Sequence, residues 1–316
     1  MKILFVIDKL ELKYFEFNKL VTNFWLIKGL LERNNEVYIT TIPNLSLKCD
    51  VAYTKCYETF VQDENIFYKN IQIEKQIDDF ELVLFRPDPP VDIDYINATY
   101  IFDFVKKTKV INSPCAIRDF NEKLHSVYFK EYMSDNIVTA SLYDIEMFLE
   151  KNKEIVLKPL NRCFGAGVMY LYHGDPNTRT IINTMTNNET TLVMVQKFIP
   201  KVKEGDIRVL TLGDKVLPYA IKKLPSKDDF KFNTHNDAFF DDANLTSFEL
   251  NKFIPVAKTL NSMGIGMAGL DVIDGKIIEV NVTSPCYFIK EINSLYKIHL
   301  EDEICDFLLT KCLLSL

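Results

Sequence analysis

Two carboxylates and an amide, Asp271, Glu279 and Asn281, flank the turn signal Asp274-Gly275 in the stretch 269–281. A strict two-residue turn would set Asp271 opposite Ile278 and leave Glu279 on the other face. A three-residue loop over 274–276 with a bulge sets Asp271 opposite Glu279. That register also sorts the side chains better. Asp271, Ile273, Ile277, Glu279 and Asn281 then share one face, and Leu270, Val272, Ile278 and Val280 the other. Oxygens gathered in this way are costly to bury unless a cation joins them. An all-oxygen set suits magnesium or manganese rather than zinc. The alternative is an edge hairpin with one polar face in water. On the metal reading, Glu279→Gln is expected to abolish turnover with little loss of stability.

Lys158 follows Ile155-Val156-Leu157 in a run that otherwise reads as buried strand, so its ammonium must either snorkel to water or meet an anion. The small-residue loop after it, 161–167, could fold its backbone N–H groups over phosphate, although two glycines near a turn are commonplace. In Asp206-Ile207-Arg208-Val209-Leu210, alternation puts Asp206 and Arg208 on one face. The pair is either a salt bridge on a solvated sheet or an arginine aimed from a rigid strand at a transferring phosphoryl group. None of the 4 histidines stands at metal-ligand spacing with another, and no Ser-His-Asp arrangement finds an anchor. The 7 cysteines form no C-x-x-C pair, which reads as reduced thiols in a cytoplasmic protein.

The elements that must position these residues are legible as two patterns. In the first third, strands at 2–7, 36–40, 81–85 and 109–112 alternate with helices at 18–33 and 94–107, which implies a parallel sheet covered on both faces. No G-x-G-x-x-G follows the first strand, so dinucleotide binding is not supported. Beyond a short helix at 121–130, strands are expected at 154–159, 168–172 and 191–198. Antiparallel strands at 206–212 and 216–222 turn at Gly213-Asp214. A polar stretch at 225–244 reads as a lid, followed by a helix at 246–263, the acidic hairpin and a closing helix at 300–314. A chain of 316 residues with 47% apolar composition supports two or three packed domains. Its net charge of −7 argues against nucleic acid as partner, and no apolar stretch approaches the roughly 20 residues of a membrane helix.

Taken together, these residues resemble the bacterial glutathione synthetase family over nearly the whole chain. Arg86-Pro87-Asp88-Pro89-Pro90 and Ala98-Thr99-Tyr100-Ile101 are similar to its R-K-D-P-P and A-T-Y-I segments. Ile111-Asn112-Ser113-Pro114 and the run from Arg118 to Leu124 resemble its V-N-x-P and R-D-x-N-E-K-L stretch. Leu157-Lys158-Pro159-Leu160, His173-Gly174-Asp175-Pro176-Asn177, Gly205-Asp206 and Arg208-Val209-Leu210 match in order and spacing, as do Gly269-Leu270-Asp271 and the run from Glu279 to Pro285.

The resemblance implies an ATP-grasp fold of α/β and α+β class. A Rossmann-like N-terminal domain (1–120) would precede a central ATP-grasp subdomain (121–200) and a C-terminal one with the metal site (201–316). It implies ATP and Mg2+ (or Mn2+), with Lys123 and Lys158 on phosphates, and Gly165 in the phosphate loop. Gln196, Lys197, Phe198 and Ile199 would line the adenine pocket, and Asp206 would hold the ribose. Asp271, Glu279 and Asn281 would hold metal, and Arg208 and Lys231 would act in catalysis. Arg86, Asn233, Ser284, Lys290 and Glu291 would lie toward the peptide. The implied reaction activates the carboxylate of γ-glutamylcysteine as an acyl phosphate, which the glycine amine attacks, in a cytoplasmic homo-oligomer. A ligase with other substrates and a nucleotide-binding relative without catalysis are the alternatives. Three segments depart from the family pattern. Asn161-Arg162-Cys163-Phe164-Gly165 replaces a loop resembling D-G-M-G-G, and Lys231-Phe232-Asn233 replaces an R-G-N core. The segment from Cys286 to Ile292 is one residue longer than the family's, with lysine again in place of arginine.

Overall fold

A computed structural model describes residues 1–8, 21–163, 165–224, 239–243 and 245–313. Residues 3–7 are apolar and buried without alternation, as suits the inner strand of a sheet covered on both faces. This strand, β1 (Lys2–Ile7), pairs in parallel with β2 (Glu36–Thr41) and, on its other edge, with a later strand. Between β1 and β2 lies helix α1 (Thr22–Glu32). Next come β3 (Leu45–Lys48), β4 (Val51–Gln62), β5 (Asn65–Tyr68) and β6 (Ile73–Gln76), with β3, β5 and β6 each antiparallel to β4. The parallel part resumes with β7 (Leu82–Phe85), α2 (Ile93–Ile101), β8 (Lys109–Ile111) and α3 (Pro114–Asp119). Among the described residues the strand order is β3-β4-β2-β1-β7-β8, with β5 and β6 paired to β4. The expected parallel sheet is therefore present, extended by antiparallel strands over 45–76 that the alternation of the first third did not reveal.

A second sheet contains β9 (Asn136–Thr139), β10 (Glu154–Pro159), β11 (Met169–Tyr172) and β12 (Val193–Lys197), in the antiparallel order β11-β10-β12-β9. Helices α4 (Leu142–Asn152) and α5 (Thr178–Met185) pack on it around Ile155, Leu157, Leu171 and Val195. The helix expected at 121–130 is instead a tight turn followed by 3-10 turns over His125–Tyr132. The Asn121 side chain accepts the N–H groups of Lys123 and Leu124, which fixes a turn there and delays helix formation.

The third sheet is antiparallel, in the order β15-β14-β13-β16-β17. Its strands are β13 (Asp206–Leu212), β14 (Lys215–Leu224), β15 (Phe239–Asp242), β16 (Met267–Ile273) and β17 (Lys276–Asn281). The helix expected over 246–263 is two, α6 (Ser247–Asn251) and α7 (Ile254–Ser262). The break precedes Pro255, which starts the second helix because its missing N–H costs nothing there. Helices α8 (Ile289–Tyr296) and α9 (Leu300–Leu313) return to the first sheet. Leu300, Ile304 and Leu308 join Leu26, Leu30, Leu210 and Met267 in one buried core, so the first and third sheets share apolar packing. Asn112 joins them with polar contacts: its side chain donates to Met267 O and Val282 O at 2.7 Å each and accepts Met267 N–H at 2.8 Å. The opening between the second and third sheets holds the site.

Candidate active site

Alternation along β10 sends Ile155 and Leu157 into the core beneath the second sheet, and Val156 and Lys158 into a cavity of about 500 Å³. Lys158 neither snorkels to water nor bonds an anion, the two outcomes the sequence left open; its partners are neutral oxygens. Its Nζ donates to Gln196 Oε1 at 2.9 Å and crosses the opening to Ile278 O at 3.0 Å. Burial pulls this ammonium down to about 8, although Glu279 favours its charge. Gln196 stands on β12 with Lys197, and both line the same cavity, as do Phe198, Ile199 and Gly165.

On the third sheet, Asp271 pairs across the ladder with Glu279 on one side and with Arg208 on the other. The expected pairing of Asp271 with Glu279 is present, but by a different route. A two-residue turn pairs Ile273 with Lys276 and Val272 with Ile277, and a bulge at Ile278 then restores Asp271 to Glu279. The bulge exchanges two isoleucines relative to the sequence reading. Ile277 is buried with Val272 and Val280, while Ile278 lines the cavity with Asp271, Ile273, Glu279 and Asn281.

Arg208 grips Asp271 with two bonds, Nε to Oδ1 at 2.7 Å and Nη2 to Oδ2 at 3.1 Å. It also donates through Nη1 to Cys286 O at 3.1 Å. Lys223 reaches Asp271 Oδ1 at 2.9 Å and Asp206 Oδ2 at 2.8 Å, and Asn281 Nδ2 reaches Asp271 Oδ2 at 3.0 Å. Burial opposes ionisation of Asp271, but Arg208 and Lys223 outweigh it and hold the carboxyl well below the usual range. Asp206 goes the other way, raised by burial and by the nearby Asp271 charge. Glu279 accepts from Lys123 Nζ at 2.7 Å, and the same ammonium donates to Arg162 O at 2.6 Å. Burial disfavours the Lys123 charge, yet Glu279 more than compensates and raises its pKa.

Arg86 is buried at the carboxyl end of β7, bonded to Asn23 Oδ1 at 2.7 Å and Pro285 O at 2.9 Å. Ser284 and Glu291 line the cavity nearby. Lys290 does not; it is exposed and outside the lining. Adjacent residues on α8 point about 100° apart, so presenting Glu291 to the cavity turns Lys290 away. Lys231 and Asn233 lie outside the described residues. Three buried polar atoms in the cavity wall have no hydrogen-bond partner among the described residues: Gln196 Nε2, Asp206 Oδ1 and Glu291 Oε2. Orphaned groups of this kind call for a ligand or water.

The oxygens of Asp271, Glu279 and Asn281 converge on one cavity and are of the hard type that a divalent cation takes. The two carboxylates among them carry negative charge, which Arg208, Lys223 and Lys123 meet at hydrogen-bond distance, and carboxylates of this kind, beside an amide oxygen, fit such an ion.

Sequence reasoning missed Lys223 and Glu122 in this wall. Lys223 faces Asp206 because the β13–β14 ladder runs Thr211↔Val216 and then resumes at Val209↔Ala220. Pro218, which has no N–H to give the ladder, was the available signal for that irregularity.

Family models for the prokaryotic glutathione synthetase N-terminal domain and its ATP-grasp domain match residues 1–118 and 122–297. The chain belongs to the prokaryotic glutathione synthetase family. It is 35% identical over 290 residues to the glutathione synthetase of Vibrio vulnificus strain CMCP6, covering 90% of this chain and 91% of that one. To the glutathione synthetase of Coxiella burnetii it is 31% identical over 294 residues, covering 92% and 91%. Among solved structures, D-cycloserine synthetase DcsG superposes with a TM-score of 0.66 at 14% identity, over 100% of both chains. D-alanyl-alanine synthetase A from Vibrio cholerae superposes with a TM-score of 0.64 at 11% identity, over 99% of this chain and 98% of that one. These likenesses show that the chain has the ATP-grasp fold.

Proposed function

We infer that the protein is an ATP- and metal-dependent carboxylate–amine ligase that joins γ-glutamylcysteine to glycine and forms glutathione. The observation that carries this reading is the meeting of Lys123, Lys158 and Arg208 with Asp271, Glu279 and Asn281 in one cavity between two antiparallel sheets. In the proposed reaction a carboxylate oxygen of the dipeptide attacks the γ-phosphorus of ATP and ADP leaves. The amine of glycine then attacks the acyl carbon, phosphate leaves, and the amine proton is lost. Lys158, on β10, and Lys123, bonded to both walls, would neutralise phosphate oxygens. Arg208, on a rigid strand, would face the charge that develops during transfer. Gln196 through Ile199 would hold the base and Asp206 the ribose, each placed at a lining position. Asp271, Glu279 and Asn281 would hold the divalent ion, magnesium in this reading, which when bound offsets phosphate charge. Arg86, Ser284 and Glu291 would face the peptide.

We read 1–120, 121–200 and 201–316 as the substrate domain and the two ATP-grasp subdomains of a cytoplasmic homo-oligomer. Among the described residues no helix is long and apolar enough to cross a membrane. A ligase with a changed substrate is the second reading, favoured by the presence of Arg162 and Cys163 in the cavity wall. ADP formation by the purified protein with ATP, magnesium and γ-glutamylcysteine, with and without glycine, tests the assignment. Glycine-dependent turnover supports it. Turnover with another amine and none with glycine moves the assignment to the second reading.

A further inference from the structure

The turn Asn121-Glu122-Lys123 touches both walls of the cavity. On one side, Asn121 Nδ2 donates to Leu160 O at 2.9 Å and Lys123 Nζ to Arg162 O at 2.6 Å, which holds the loop after β10. On the other side, Glu122 O accepts Val280 N–H at 3.1 Å. The Glu122 carboxylate oxygen Oε1 accepts Val282 N–H at 2.7 Å, Thr283 N–H at 3.0 Å and Thr283 Oγ1 at 3.1 Å. One oxygen thus receives donors from two consecutive residues that directly follow Asn281. Downstream, Ser284 lines the cavity, Pro285 O accepts from Arg86, and Cys286 O accepts from Arg208. Both carbonyls that this segment offers to the two arginines lie within three residues of Thr283.

We propose that Glu122 is a positioning residue whose carboxylate fixes the 282–286 segment, so that Ser284, Arg86 and Arg208 are aimed at the dipeptide substrate. The proposal rests on the ligase reading above for its substrate, and on the contacts alone for its structural part. A charged acceptor suits the role because its hydrogen bonds are roughly twice as strong as those of a neutral one. Glutamine keeps an oxygen in the same place, so it should rescue part of what alanine loses.

The experiment compares full-length Glu122→Ala and Glu122→Gln with the unaltered chain by steady-state kinetics and amide hydrogen exchange. For Glu122→Ala, kcat/KM for γ-glutamylcysteine is expected to fall about 100-fold, the scale of an ångström-sized misplacement. Glu122→Gln should fall about tenfold, and the KM for ATP should stay within about threefold in both. Exchange should accelerate at 282–286 and remain unchanged over β13. A KM for ATP that rises beyond about threefold, equal losses for Gln and Ala, or unchanged exchange at 282–286 would each overturn the proposal. Should the unaltered chain fail to turn over γ-glutamylcysteine, the ligase reading fails, and the exchange comparison still decides whether Glu122 fixes the segment. Should the alanine variant not fold, the glutamine variant carries both measurements.

Discussion

Gly269 lies on β16 two residues before Asp271, where the Arg208 side chain crosses it to reach that carboxylate. A Cβ added at Gly269 would stand 2.8 Å from both Cδ and Nη1 of Arg208 and 3.2 Å from its Cζ. Non-bonded carbons settle at about 3.5–4.0 Å, so Gly269→Ala should push the guanidinium back by about 1 Å. The bonds to Asp271, now 2.7 and 3.1 Å, would then open to about 3.7 Å or more, beyond hydrogen-bond range. Misplacing a group that faces the transferring charge by this much should lower kcat about 100-fold. Asp271 keeps Lys223 and Asn281, so the fold should lose only about 1–2 kcal/mol. Phosphate release at saturating ATP, γ-glutamylcysteine and glycine reads the first effect, and urea denaturation the second. Gly266→Ala is the control, because its added Cβ would meet nothing nearer than 3.8 Å. If Gly269→Ala keeps kcat within about threefold of the control, an Arg208 displaced by about 1 Å still serves the transfer, and the geometric reasoning is wrong.

Glu279→Gln should reduce turnover by about 100-fold or more in the same assay. It should also cost about 1–3 kcal/mol of stability, because Lys123 loses its ion pair; the sequence alone had suggested little stability loss. Asp78 accepts N–H bonds from Lys106, Lys107 and Thr108 at 3.1, 2.8 and 3.2 Å. Burial opposes its charge, but these donors hold its carboxyl below the ordinary value. Its stabilisation is therefore complete above the unfolded-state pKa near 3.9 and is lost as pH falls through the lower folded value. Asp78→Ala should lower stability by about 1–3 kcal/mol at pH 7, with the gap closing below about pH 4 in urea titrations. Asn112→Ala strands three buried backbone groups at 267 and 282, and should lower stability by about 3 kcal/mol or more in the same titrations.

What the sequence made legible followed from local rules. Alternation along 206–210 put Asp206 and Arg208 on one face, and both line the cavity, because a strand has only two faces; Lys158 stood out as a lysine within a buried-strand run. Asp274-Gly275 announced the hairpin, and the cost of burying carboxylates singled out Asp271 and Glu279. What stayed hidden came from irregularities and distance. The Ile278 bulge exchanged two isoleucines, and the break in the β13–β14 ladder moved Lys223 opposite Asp206. Glu122 acts 160 residues from its partner, where no periodicity reaches. Strands β3 to β6 carry polar residues such as Lys55 and Glu74 on an exposed face, and so lacked the continuous apolar run that revealed β1.

The cavity resolves a tension in the composition. A chain with a net charge of −7 that handles polyphosphate must gather cations locally, and cations enclosed together repel unless anions stand between them. Here Asp271 separates Arg208 from Lys223, and Glu279 stands against Lys123. Under the proposed function those same two carboxylates hold the divalent ion. Sharing their oxygens with such an ion would loosen their hold on Arg208, Lys223 and Lys123, and an enclosed cation left without a partner would cost several kcal/mol, on the order of 3–5. Phosphate oxygens are the partners that remove that cost. Losing the carboxylates to metal and gaining the phosphates are therefore favourable together and unfavourable apart. On that reading the ion pairs hold Arg208, Lys223 and Lys123 in place, and nucleotide and divalent ion would bind favourably only together.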